Sequence, residues 1–383
     1  MKKIVIIGGG VSGLYIANLF KQNPDYEITV CEKNSSLNLE KGYGIQLSVN
    51  SIKLLNKIGF QNISLAEKFY PNKVDIYSLN TKNKICDLNI STFNDADIKY
   101  TTLQRLTLIN FLKEGLPSNL INYNKNVIKV NQDSKNIKIT FEGNSSIECD
   151  YLIISDGVFS KTKSLIAKRE IRAKYFNSIA LRATINQSNL QGVEPNNISL
   201  SLGSNLHSVT YPTSVNGEVN FISILRKKLS TKDLANYSLF ESKNFISSIL
   251  FDISKQIDHK IIKNLKDIKC FPVFVSSELY LPTNKNIFLI GDAFFAYPPT
   301  FAQGASQSIE IAYELYNNLE DKGDQFNHER IKRTKMINKK SKLNFFIFHL
   351  SNPLMSIVRN LLMKYLVKNN KFINSYLGKI YKN

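Results

Sequence analysis

The sequence predicts an α/β chain, α+β overall: a parallel-sheet part that is discontinuous in sequence, an inserted and mostly antiparallel β-sheet, and a C-terminal helical tail. Three observations predict it. A β-branched run over residues 3–7 opens directly into Gly8-Gly9-Gly10-Val11-Ser12-Gly13 and a helical pattern. Two further short apolar runs, 150–154 and 286–290, are followed by Asp156-Gly157 and Gly291-Asp292. Between them lie alternating stretches such as 207–211 and 219–224, the pattern of an antiparallel sheet with one buried face.

The first run is continuous rather than alternating, as in a parallel strand buried on both sides. The glycines after it fit G-x-G-x-x-G. Leu14, Ala17, Asn18 and Phe20 then fall near helical spacing, Asn23-Pro24-Asp25 turns, and a second strand over 27–31 ends at Glu32. That acid stands about twenty residues on, where such a motif needs one. Gly8 permits the tight turn, Gly10 lets the backbone approach a pyrophosphate, and Gly13 lets helix and strand pack closely. The helix start offers free N–H groups and a positive dipole end to phosphates, and Glu32 suits a ribose diol. The opening 32 residues therefore read as a site for the ADP half of a dinucleotide. Alone they do not separate NAD from FAD.

Bulk properties narrow the partners. The chain has 383 residues, 43% of them hydrophobic, enough for one large core or two domains sharing an interface. A formal charge of +19 suits nucleic acid, an anionic membrane surface, or anionic cofactors and substrates. The basic residues are dispersed, with one denser stretch from Arg330 to Lys342, and no nucleic-acid motif is visible, so no nucleic-acid partner is expected. Cys31, Cys86, Cys149 and Cys270 form no C-x-x-C pair, which fits buried reduced thiols in a cytoplasmic protein. His207, His259, His328 and His349 are isolated in sequence and suggest no metal site. No apolar run reaches the length of a bilayer span.

The third motif is richer. The strand over 286–290 runs into Gly291-Asp292-Ala293, then Tyr297-Pro298-Pro299-Thr300-Phe301-Ala302-Gln303-Gly304-Ala305, and a helix from about Ser306 to Leu315. Gly304 and Ala305 thus sit at a helix N-terminus, which suits the negative pyrimidine end of a reduced flavin. Asp292, at a strand's end, suits a ribityl hydroxyl.

With these motifs together, the chain resembles the class A flavoprotein monooxygenases, the aromatic-ring hydroxylases that include salicylate hydroxylase-like, kynurenine 3-monooxygenase-like and ubiquinone-pathway enzymes. The resemblance runs through Gly8 to Gly13, Glu32-Lys33, Gly42-Tyr43-Gly44-Ile45, Leu103-Gln104-Arg105-Leu106, Asp156-Gly157, Leu181-Arg182 and Gly291 to Gly304. It implies a discontinuous Rossmann-like FAD-binding domain over 1–70, 99–171 and 276–325, a substrate domain over 71–98 and 172–275, and a helical segment over 326–383. It implies FAD contacts from Gly8, Gly10, Ser12, Gly13, Glu32, Lys33, Gly44, Arg105, Val127, Asp156, Gly157, Gly291, Asp292, Gly304 and Ala305. Phe295, Pro298 and Gly304 become pocket candidates, with no catalytic base to name. Three departures stand out: Phe294-Phe295 where the family often has Ala-His, Ala302 where it often has Gly, and Lys163 where it usually has Arg.

The implied activity is hydroxylation of an aromatic or other electron-rich small molecule, using NADPH or NADH and O2 through a flavin C4a-hydroperoxide. An FAD-dependent dehydrogenase or reductase, an epoxidase or a halogenase of the same fold is the alternative, and a non-catalytic flavin carrier the lesser one. A monomer or homodimer is expected. The tail's apolar set, from Phe345 to Leu366, is interrupted at Asn352-Pro353 and flanked by basic residues. A helix packed on the FAD-binding part is the preferred reading. Reversible contact with an anionic membrane is the other.

Overall fold

The computed structural model describes residues 1–37, 43–132, 136–190, 192–320 and 326–381; Gly42 lies outside them. Among the described residues, the β-branched opening strand Lys2–Ile7 is the centre of a five-stranded, all-parallel sheet. Tyr151–Ile154 and then Ile287–Leu289 lie on one side of it. Tyr26–Cys31 and Ile121–Asn122 lie on the other. Ile4, Val5, Ile6, Leu152, Ile153 and Ile154 are at most 1% exposed, which is why their runs are continuous. The helix Val11–Phe20 packs against the helices Arg105–Glu114 and Gly304–Glu320. The antiparallel strands Val127–Gln132, Ile137–Phe141 and Ser146–Cys149 add Val127, Ile137, Ile139 and Phe141 to the same core.

The alternating stretches form a seven-stranded sheet, antiparallel but for one pairing. Its order is Lys266–Val275, Lys174–Asn186, Glu218–Arg226, Leu206–Pro212, Ile198–Leu202, Lys73–Ser78 and Lys84–Asn89. Both of its faces are covered, where the alternation suggested one. Ile179, Leu181, Val219, Phe221 and Leu225 pack under the helix Lys243–Ser254 and its neighbours. The intervening residues, among them Arg182, Ile222, Ile224, His207 and Tyr211, face the parallel part across a cleft. Gly44 N donates to Asn220 Oδ1 (2.8 Å) and Thr102 Oγ1 to the Pro212 carbonyl (2.6 Å), tying the two layers together.

The tail divides in two. Phe326–Phe348 packs on Gly304–Glu320, and Arg330, 1% exposed, donates to Glu310 (2.9 Å) and Gln307 (2.7 Å). Asn352 caps the next helix, Pro353–Leu366, by accepting from Met355 N (3.1 Å). There the preferred expectation of a core-facing helix is overturned: Leu354, Met355, Ile357, Val358, Leu361, Leu362 and Tyr365 point outward, while Ser356 and Arg359 face the protein. The hydrogen bonds of those two residues to the preceding turn fix this rotation. The chain then returns inward, burying Leu377, Ile380 and Tyr381 beside Tyr100 and Tyr211.

Candidate active site

Because the five strands are parallel, their C-terminal ends share one edge, and the turns leaving them converge. Gly8 has φ +105°, and a Cβ there would stand 2.6 Å from the Ser155 carbonyl oxygen, so no other residue fits. A Cβ on Gly13 would collide with the Gly8 carbonyl, so its absence seats the helix against the turn. At Gly10 a Cβ would meet nothing within 4 Å among the described residues. Among the described residues no side chain caps the helix behind it, which leaves its first N–H groups to a ligand. Glu32 braces this turn: Oε2 accepts from Gly9 N (2.8 Å) and Oε1 from Asn34 N (3.0 Å).

A cavity of about 1120 Å³ runs along this edge, lined by Gly8, Gly10, Glu32, Lys33, Arg105, Val127, Asp156 and Gly157. A second, of about 580 Å³, is lined by Ser12, Gly44, Asp292, Pro298, Gly304 and Ala305. Gly10, Arg105, Gly157 and Arg182 line both, so the two form one cleft. Three of the expected site residues line neither. Gly13 and Gly291 are packing joints, the latter at φ +60° against Ser12. Phe295 follows the turn Gly291–Phe294 and packs on the core, with its ring 5.2 Å from that of Tyr297.

Residues 1–322 match a family model described as FAD binding domain. The chain belongs to the class A FAD-dependent monooxygenases. It is 22% identical over 327 residues to a 6-hydroxynicotinate 3-monooxygenase of Bordetella bronchiseptica, covering 84% of each chain. To a salicylate hydroxylase of Pseudomonas putida it is 20% identical over 345 residues, covering 83% of this chain and 77% of that one. In fold it is similar to Klebsiella pneumoniae HpxO crystallised with FAD and uric acid, with a TM-score of 0.82, 16% identity, and 98% and 95% of the two chains covered.

The cleft of this FAD-dependent enzyme suits that cofactor on grounds of its own. The backbones of Gly10, Gly157 and Gly304 border open space, and Gly10 and Gly304 each begin a helix whose positive end faces the cleft. Asp156 Oδ2 accepts from Thr162 N (3.3 Å), but its buried Oδ1 has no partner among the described residues, as expected of an acceptor awaiting a hydroxyl. Burial pushes its carboxyl above the usual range. Asp292 opens onto the cleft yet lies deep in the protein, which pushes its carboxyl up to about 6 against the pull of Arg105 and Lys163. Depth likewise lowers Arg105, helped by neighbouring Arg182 and opposed by Asp292. Lys163 is buried, and its Nζ donates to the Ala293 carbonyl (3.0 Å), clamping the Asp-Gly turn to the Gly-Asp turn.

The sequence reading missed the far wall. Two of the four histidines meet in space: His207 Nδ1 lies 2.7 Å from His349 Nε2, although 142 positions separate them. Burial lowers His207 to about 3 and His349 to about 2, so both are neutral near pH 7. His207 lines the smaller cavity with Tyr100, Tyr211, Phe348, Tyr376 and Tyr381. The alternation of 207, 209 and 211 already placed His207 and Tyr211 on one face. Nothing local announced that the tail would supply Asn344, Phe348, Tyr376, Leu377 and Tyr381.

Proposed function

We propose that this protein is a single-component monooxygenase that uses NADPH or NADH and O2 to hydroxylate an electron-rich aromatic compound whose body is neutral and apolar. One observation carries the reading: the smaller cavity begins at Pro298, Gly304 and Ala305 and ends in aromatic and aliphatic side chains, its charged lining residues among those described being Arg105, Arg182 and Asp292. Gly8, Gly10, Ser12, Glu32, Lys33 and Val127 would hold the ADP half of FAD, Arg105 and Asp156 its central part, and Asp292, Gly44, Gly304 and Ala305 the flavin end. FAD supplies two-electron transfer from the nicotinamide and activation of O2 at the C4a carbon. The chain's own residues orient and shield. The N-terminus of Gly304–Glu320 stabilises negative charge at the ring. Ile224, Val209 and Phe348 exclude water from the reacting atoms. Neutral His207, steadied by His349, accepts a hydrogen bond from a ring hydroxyl.

The test is the purified, FAD-loaded protein mixed with NADPH or NADH and a panel of phenols and N-heteroaromatic alcohols under 18O-labelled O2. Expected is nicotinamide oxidation that an accepted phenol accelerates, with label in the product. Flavin that stays oxidised with every donor and ring, or product without label, would sink the reading. His207→Asn should slow turnover more than it weakens substrate binding; a pure KM effect would remove His207 from its assigned role.

A further inference from the structure

The helix Pro353–Leu366 is mounted inside out. Its seven large apolar residues Leu354, Met355, Ile357, Val358, Leu361, Leu362 and Tyr365 are between 48% and 73% exposed. At 100° per residue they fill one continuous arc of under half the circumference. The opposite side holds the helix to the protein with polar groups. Arg359 Nη1 donates to the Ile347 carbonyl (3.2 Å), Ser356 Oγ donates to the Leu350 carbonyl (3.2 Å), and Met363 adds an apolar contact to the cluster around Ile76 and Ile85. An apolar patch of this size on a helix that had the opposite orientation open to it marks an interaction surface.

Charge identifies the occupant. The preceding helix, Phe326–Phe348, exposes Lys332, Lys335, Lys339 and Lys342 at alternating spacings of three and four, a stripe along one face. The stripe ends in Leu343 and Phe346, themselves 52% and 57% exposed. Lys364, Lys368 and Lys371 are also exposed around the end of the inverted helix. A two-fold dimer through this face would bring like charges of a chain carrying +19 against each other. An anionic lipid surface meets both features at once, taking the apolar arc into its acyl boundary and the lysines among its headgroups. A helix of 14 residues is about 21 Å long, too short to cross about 30 Å of hydrocarbon, so it lies in the interface. No helix among the described residues is long and apolar enough to span.

We infer that the outward apolar face of Pro353–Leu366, with the lysine stripe beside it, docks this enzyme on an anionic membrane. The surface adjoins the cavity's far end: the helix rests on the strand Lys84–Asn89, whose Leu88 lines the cavity, and is flanked in sequence by Phe348 and Tyr376, which line it too. The inference goes beyond the proposed hydroxylation and is read by binding alone.

The chain contains no Trp, so one introduced Trp is a clean reporter. FAD-loaded Leu361→Trp is mixed with vesicles of phosphatidylcholine, with and without phosphatidylglycerol. Expected is a blue-shifted emission, quenched by brominated acyl chains, with binding to the anionic vesicles roughly tenfold stronger and weakened by salt. Phe251→Trp, exposed on a helix of the seven-stranded layer, should give no shift. Leu354→Gln with Leu362→Gln, and separately Lys335→Gln with Lys339→Gln and Lys342→Gln, should each release the protein from vesicles while flavin content and thermal melting hold. The inference falls if Leu361→Trp emission is unchanged on anionic vesicles, or if both sets of variants sediment with them as before. It falls equally if light scattering shows a dimer that the glutamine variants dissociate and that ignores vesicles.

Discussion

At the scale of single residues, the two glycine-like positions of the cofactor cleft separate folding from binding. Gly10 has extended φ and ψ, −84° and −174°, that any residue adopts, and open space where its side chain would be. Gly10→Val should therefore melt like the parent as apoprotein, yet bind FAD about tenfold or more weakly, a loss of about 1.4 kcal/mol read by flavin titration. Parent-like affinity would move the pyrophosphate elsewhere. Ala302 is the reverse case. It stands where the family often has glycine and adopts φ +50°, in the left-handed region. That conformation costs an alanine about 1–2 kcal/mol, partly offset by the greater chain entropy that glycine loses on folding. Ala302→Gly should gain about 0.5–1 kcal/mol, measured as a small rise in Tm, and an unchanged or lower Tm would show the loop unstrained.

Between elements, the load falls on a buried polar chain that joins the loop ahead of Gly304–Glu320 to the tail. Gln303 Nε2 donates to Ser48 Oγ (3.0 Å), Gln307 Nε2 to Gln303 Oε1 (3.0 Å), and Arg330 Nη2 to Gln307 Oε1 (2.7 Å). Glu310 takes Arg330 on one side and Arg333 on the other, the latter through Nη2 at 2.6 Å and a second contact from Nε. Those guanidiniums hold its carboxyl below the usual range despite burial, while Glu314 is pushed up by its own burial. Arg330→Met would leave Glu310 half-compensated and Glu314 without its nearest cation. Removing one partner of a buried pair costs about 3–5 kcal/mol, and the retained Arg333 places this variant near the lower figure. The denaturant midpoint checks it, and a change under 1 kcal/mol would make the network ornamental. This joint also marks where legibility ended. The parallel strands and the turns that line the cleft were readable because each is a local pattern: a β-branched run, then glycines, then an acid. Gln307, Glu310 and Arg330 carry no such pattern, since they meet only after two helices pack. The inverted helix was misread for a related reason. Periodicity reports that an apolar arc exists but not which way it turns, and here Ser356 and Arg359, not the arc, chose the inner side.

Across the whole molecule, the seven-stranded sheet and the tail meet at His207 and His349, which makes the closure of the cavity sensitive to acid. Both rings are buried and neutral, with His207 pushed to about 3 and His349 to about 2 by burial, the latter also by Arg226 and by His207 itself. In the unfolded chain a histidine takes up its proton near pH 6.5. Between that value and the folded ones the unfolded state binds more protons, so stability rises with pH and is lost as pH falls below about 6.5. Each ring contributes a slope that approaches about 1.4 kcal/mol per pH unit well below pH 6.5, so the pair sets about 2 kcal/mol between pH 6.5 and 5.5. Urea midpoints taken from pH 7.5 down to 5 should show that fall. The double variant His207→Asn with His349→Leu removes both titrating groups, and its profile should flatten over the same window even if its stability at pH 7.5 is lower. An equal slope in parent and variant would assign the acid sensitivity to other groups and leave the pair as plain packing. A parent profile that is flat from 7.5 to 5 would mean that the cavity wall opens readily enough to hydrate the rings, which would also weaken its role in keeping water from the flavin.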